Sequence, residues 1–261
     1  MKKYELINET KNLNGYILHR IKALRNFNDV KAGDLGGWLR SEKNLSHDGD
    51  CWIYDDAMVF GSAKVFDNAV VFDGAKIFGY AKIFDNAVVF DRALLSENVK
   101  VYNNAEVCGH VLIFGDAEVF GDAKVCDYAK VCGSAKVFGN AGVCGFAQVF
   151  DNVQVFGNAI LSENVKFFGN AVARGNAYVC GNAEVCGNAE VTSNRDYIVF
   201  DNWWSRGRFI SRFITWTRSN DMWSVGDFYG TGTELIAKAY KDSEESGREY
   251  ERVVKYVESI K

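Results

Sequence analysis

The sequence predicts an all-β solenoid, a parallel β-helix of about eight triangular coils, with a small α+β module at its C-terminal end. Three observations predict it: a six-residue frame running without insertion from Cys51 to Asn194, the absence of proline from all 261 residues, and a break in pattern at Arg195. A chain whose strands nearly all need their N–H groups for a ladder has no place for proline.

The stretch AKVFDNAVVFDGAKIFGYAKIFDNA (63–87) shows the frame. Each hexad opens on Ala or Val after an initial Cys51, and carries Val, Ile or Leu at its third position, with Phe167 and Ala173 as exceptions. It closes mostly on Gly, Asp, Asn, Glu or Ser. Alternate side chains of a strand face opposite ways, so positions one and three point into a narrow interior. Positions five and six turn the chain, where Gly and Asn accept a left-handed backbone. Three hexads close a triangle of 18 residues, and the 24 hexads of residues 51–194 make eight coils. At about 4.8 Å per coil the prism is roughly 38 Å long.

This pattern resembles the hexapeptide-repeat, left-handed β-helix superfamily, and the left-handedness is what the resemblance implies. One departure is position four, which holds Phe, Tyr or Cys in 20 of the 24 hexads, where the superfamily usually has Gly, Ala or an acid. Residues 27–56, FNDVKAGDLGGWLRSEKNLSHDGDCWIYDD, resemble the opening of the YdcK-type proteins, a bacterial and phage-borne group of β-helix proteins. That resemblance implies a fold, and its partly viral membership implies a protein acting on a host component.

Most well-known members of the superfamily are acyltransferases, trimers with a catalytic His between subunits and usually a loop thrown out of the helix. The 24 hexads here carry no such loop. Of three His, His19 and His47 lie in the N-terminal segment and His110 occupies position six. His110 is either an ordinary corner residue or the one weak candidate for a catalytic base. Asp67, Asp85 and Asp151 repeat at position five, but acids there alternate with Gly, and no metal or cofactor site is expected.

Position two separates the faces. One reads Trp52, Val70, Val88, Glu106, Lys124, Gly142, Ile160, Tyr178, too apolar at its ends to be left in water, so Trp52, Val70, Val88, Ile160 and Tyr178 are candidate interface residues. Either the chain's own ends or another chain, including a second copy, would cover them. Another reads Lys64, Lys82, Lys100, Glu118, Lys136, Gln154, Val172, Glu190, a solvated face. Its position four forms six aromatic rungs in succession, Phe66, Phe84, Tyr102, Phe120, Phe138 and Phe156, which brace the corner or dock a partner. Six of seven cysteines share position four, with Cys108, Cys126 and Cys144 on adjacent coils. Parallel rungs about 4.8 Å apart fit poorly to a disulfide, so free thiols acting as compact hydrophobes are expected, with a soft-metal ladder the lesser alternative because no His joins them at ligand spacing.

Residues 1–50 read as a β cap, with YILHRIKAL alternating like a strand. Residues 195–261 read as strands joined by a turn at Ser219-Asn220-Asp221, then two helices with capping boxes at Thr231/Glu234 and Ser246/Glu249. This module places Trp203, Trp204, Trp216 and Trp223 among Arg206, Arg208, Arg212 and Arg218. Such residues build a core, dominate protein interfaces or stack and neutralise a nucleotide or single strand. The module balances 11 basic with 11 acidic residues, and the chain's net charge is −4, so no broad nucleic-acid footprint is present. No apolar run reaches membrane-spanning length and the start has no apolar leader, so a cytoplasmic protein without membrane contact is expected. The favoured reading is a non-catalytic solenoid that presents the C-terminal module and an apolar face to a protein partner. Acyl transfer and nucleotide or nucleic-acid binding are the alternatives.

Overall fold

The computed structural model describes residues 2–201 and 213–261. Strands β1 (Tyr4–Leu13) and β2 (Tyr16–Ala23) form an antiparallel hairpin. Its two-residue turn, Asn14 and Gly15, has positive φ at both positions, which matches the twist of the flanking strands. Strand β3 (Leu35–Leu39) pairs antiparallel with β2. Twenty-four two-residue strands follow at six-residue intervals, β4 (Trp52–Ile53), β5 (Met58–Val59) and onward to β27 (Glu190–Val191).

Each short strand pairs in parallel with the strand 18 residues along, as Val88 does with Val70 and Glu106. The strands sort into three parallel faces, one of them continued by β3, β2 and β1. Because β3 pairs in parallel with β5, Trp38 opposite Met58, and Leu45 bridges Val65, coil begins inside the segment expected to be only a cap. The stack is therefore longer than the eight coils that the hexads supply. Gly36 and Gly37 lie within β3 and are glycines for packing: a Cβ on Gly36 would sit 2.5 Å from the Ile53 carbonyl oxygen.

Positions one and three are buried along the whole prism, so the interior is a column of Ala and Val with few other residues. The two exceptions offset each other. Phe167 and Ala173 occupy position three in successive hexads of one coil and are both fully buried, so a large side chain is balanced by a small one at nearly constant volume.

Corners are held by side-chain ladders. Position five takes positive φ at Asp, Asn, Gly and even Glu97 and Glu163. Its acids accept the N–H of position five on the next coil: Asp91 from Gly109 (2.8 Å), Asp151 from Gly169 (2.9 Å) and Glu163 from Gly181 (2.8 Å). Where the next coil has Gly, the acid anchors a backbone without a side chain of its own; Asp67 and Asp85 make the same contact to Asp85 and Asn103. At position six, Asn68, Asn86 and Asn104 pass an amide hydrogen bond from coil to coil at 3.1 and 3.2 Å.

The N-terminal end closes over a buried lysine. Lys3 is fully buried, and its ammonium donates to the carbonyls of Cys51 (2.8 Å) and Gly49 (3.2 Å). Tyr4 donates to the Leu45 carbonyl at 2.8 Å. The opposite end meets the C-terminal module, in which β28 (Tyr197–Asp201), β29 (Phe213–Thr217), β30 (Met222–Val225) and β31 (Phe228–Gly230) form an antiparallel sheet. Two helices pack on it, α1 (Gly232–Asp242) and α2 (Glu244–Ile260), with Leu235, Val254 and Val257 reaching the shared core. The α1 capping box is Thr231 with Glu234, as its sequence predicts. Helix α2 starts earlier than Ser246 because Ser243, extended at φ −168°, both ends α1 and caps α2 by accepting from the Ser246 N–H. The module docks on the last coil through Thr215, whose hydroxyl accepts from Glu184 N–H (3.0 Å), and Ser219, which accepts from Glu190 N–H (2.7 Å).

Candidate functional site

His110 is exposed at its corner and stacks on Tyr128, ring centroids 5.1 Å apart, which in turn stacks on Phe146 at 5.0 Å. Among the described residues no carboxylate is hydrogen-bonded to its ring, so nothing there orients it as a base. Asp91 beside it is engaged by the backbone of Gly109. Asp67, Asp85 and Asp151 likewise accept backbone N–H groups from the coil above.

The C-terminal candidates divide. Trp203, Trp204, Arg206, Arg208 and Arg212 lie outside the described residues. Trp216 and Trp223 are buried at 1% and 2% exposure, so of the roles their composition allowed they fill the core one and present no ring to a ligand. Trp216 is fixed further by an indole hydrogen bond to Asp221 (2.8 Å). Arg218 is exposed and lies over the Trp216 ring at 5.8 Å.

The apolar face divides too. Trp52 is 1% exposed because the N-terminal segment covers it, with Phe27 and Tyr4 edge-on at 5.3 and 6.1 Å. Trp52 is thus an internal packing residue and not an interface residue. Val70 and Val88 are half-buried, and Ile160 and Tyr178 remain exposed.

The lysine face carries the most organised surface. Lys64 lies opposite Lys82 and Lys82 opposite Lys100 in parallel register. Lys100 is offset by Glu118 (2.8 Å), whereas among the described residues Lys64 and Lys82 have no ion pair. Beside this row the rings from Phe66 to Phe156 stack continuously, with centroid spacings of 4.8–4.9 Å. The hexad pattern already places Lys64, Lys82 and Lys100 in succession on one face, read there as solvated; the register adds that they lie directly opposite one another.

At the N-terminal end the row opens into a groove lined by Glu42, Lys43, His47, Lys64, Phe66 and Lys82. His47 stacks on Tyr4 at 4.4 Å, and its Nδ1 accepts from the Lys3 N–H at 3.3 Å. Neutral His47 therefore carries its proton on Nε2, which lies 3.7 Å from a Glu42 carboxylate oxygen. The hydrogen bond from Lys2, joined by the Lys2 charge, holds the Glu42 carboxyl below its usual range against the effect of burial. His47 went unselected by sequence reasoning because its partner arrives from the N-terminal strand.

All seven cysteines are free thiols. Cys126, Asp127 and Cys144 converge on one corner, their ligand-capable atoms all within 4.8 Å of one another. Burial, then the charge of Asp127, pushes the Cys126 thiol up to about 12.

Fold and surface together define a hexapeptide-repeat β-solenoid capped at both ends. No family model matches the chain. Over 53 residues it is 47% identical to a protein of Escherichia coli strain K12 described as the uncharacterized acetyltransferase YdcK. That match covers 20% of this chain and 16% of the relative, so it supports the fold, and the relative's activity does not transfer with it. No helix among the described residues is long and apolar enough to cross a membrane.

Proposed function

We propose that this protein is a non-catalytic binding solenoid whose lysine row and adjoining ring ladder receive an acidic polypeptide partner. The carrying observation is the register Lys64–Lys82–Lys100. Like charges directly opposite one another in a ladder oppose folding, so an unrelieved row serves a ligand better than it serves the fold. The flat rings beside it supply apolar contact, and the fixed coil register holds both without ordering cost on binding. Anisotropy of a labelled poly-glutamate peptide tests this. Lys64→Glu/Lys82→Glu should abolish a salt-sensitive interaction while leaving the fold intact. Binding that survives both the charge reversal and added salt removes the proposal.

Acyl transfer is the second reading, favoured by the likeness to YdcK and by His47 facing Glu42 in the same cationic groove. Coenzyme A is a polyanion that Lys43, Lys64 and Lys82 would hold by its phosphates, and His47, whose Nε2 is buried towards Glu42, would have to turn into the groove to move a proton. Calorimetry with acetyl-coenzyme A separates the two. Tight binding with acetyl transfer lost in His47→Ala would replace the scaffold reading, and absence of binding would leave it.

A further inference from the structure

We infer that Cys126, Asp127 and Cys144 form a site for one thiophilic divalent cation of the zinc and cadmium class. Both Sγ atoms and an Asp127 oxygen lie within 4.8 Å of one another. A tetrahedral ion with metal–sulfur bonds of about 2.3 Å sets neighbouring ligand atoms about 3.8 Å apart, a closure that small side-chain rotations supply. A disulfide is different, because its Cβ atoms must approach to about 3.8 Å while the coils hold them about 4.8 Å apart. The spacing that disfavours oxidation is one that a bridging metal accepts.

The sequence around the corner singles out this place. Among the position-four cysteines, Cys108, Cys132, Cys144, Cys180 and Cys186 are each followed by Gly, whereas Cys126 is followed by Asp127. Asp127 adopts φ 63°, and its Oδ2 accepts from the Gly145 N–H at 2.9 Å, tying the carboxylate to the coil that carries Cys144. The same oxygen lies 3.8 Å from the Cys126 sulfur. Lys124, the nearby cation, is drawn away by Glu106 at 2.6 Å. Asp127 is exposed and both cysteines are half-buried, so water has access as a fourth ligand. Two thiolates with one carboxylate favour zinc and cadmium over magnesium or calcium. Binding exchanges the two thiol protons, released to solvent, for two metal–sulfur bonds.

Titration of the reduced full-length protein with cadmium tests this, read by the ultraviolet thiolate-to-cadmium charge-transfer band. One equivalent should bind, and Cys126→Ser and Cys144→Ser should each weaken it by about tenfold or more, with Asp127→Asn weaker than wild type and Cys132→Ser unchanged. In the unaltered protein, one equivalent of cadmium should shield Cys126 and Cys144 from maleimide before any other cysteine. A band that persists in the Cys126→Ser/Cys144→Ser double variant, or shielding that falls on other cysteines, overturns the site.

Discussion

Phe84 lies flat on Tyr102 of the next coil, ring centroids 4.9 Å apart and planes 4° from parallel. Tyr102 passes the same contact to Phe120 at 4.9 Å, so each ring inside the ladder has a neighbour on both sides.

Phe120→Ala should therefore remove two stacked pairs at once. At about 0.5–1.5 kcal/mol per pair the loss is about 1–3 kcal/mol before the change in burial is added. Phe120→Leu restores apolar volume without the stack and should recover only part of the loss. Thermal unfolding of the three proteins measures the difference, and equal stability of Leu and Phe would mean that the ladder is burial alone.

Gly109 and Gly181 share a left-handed backbone, φ 80° and 76°, but not the same surroundings. A Cβ on Gly109 would meet the Asp127 carbonyl oxygen at 2.6 Å, whereas one on Gly181 would meet nothing within 4 Å. Gly181→Ala should cost about 1–2 kcal/mol from conformation alone, and Gly109→Ala clearly more because the next coil must move. Melting temperatures of the two variants should rank in that order.

Lys3→Met keeps the apolar stem but strands the carbonyls of Gly49 and Cys51. Each buried acceptor left without a donor costs about 1–3 kcal/mol. The N-terminal hairpin should loosen first, seen as faster protease cleavage within residues 1–50 and increased emission change at Trp52. Unchanged cleavage would show that water replaces the ammonium.

Asp196 reports pH dependence at the other end. Burial opposes its ionisation, yet hydrogen bonds from Thr192 and Ser193 outweigh burial and hold its carboxyl below the ordinary 3.8. A depressed carboxyl stabilises the fold fully above the unfolded value, and this contribution fades as pH falls through the folded one. Asp196→Asn should therefore be less stable than the native protein at pH 7, by about 1.5–3 kcal/mol for hydrogen bonds to a charged group. The gap should shrink as pH falls below the ordinary 3.8 and through the lower folded-state value. A gap that is constant with pH would assign the loss to shape rather than charge.

Much of this was legible in the sequence because a hexad residue's environment is set by its neighbours 18 positions away, which repeat the same pattern. Inward Ala and Val, left-handed corners and the Phe66–Phe156 ladder all follow from that period. The Thr231 cap was legible for a similar local reason, while the Ser246 cap misled because Ser243, next to the end of α1, competes for the same helix start. The sequence shows that Trp52 needs a cover but not which one, because Phe27 and Tyr4 come from outside the repeat.

The sequence by itself determined the coil, its facing and its register, since these depend on side-chain size and on which residues accept positive φ. Only the tertiary structure decided what closes the ends and what meets across coils: Lys3 beneath the hairpin, His47 towards Glu42, Trp216 and Trp223 inward, and Cys126 with Asp127 against Cys144. Those contacts join segments of different pattern, or aim side chains within one corner. Their free energy comes from packing in three dimensions, which the period of a repeat does not encode.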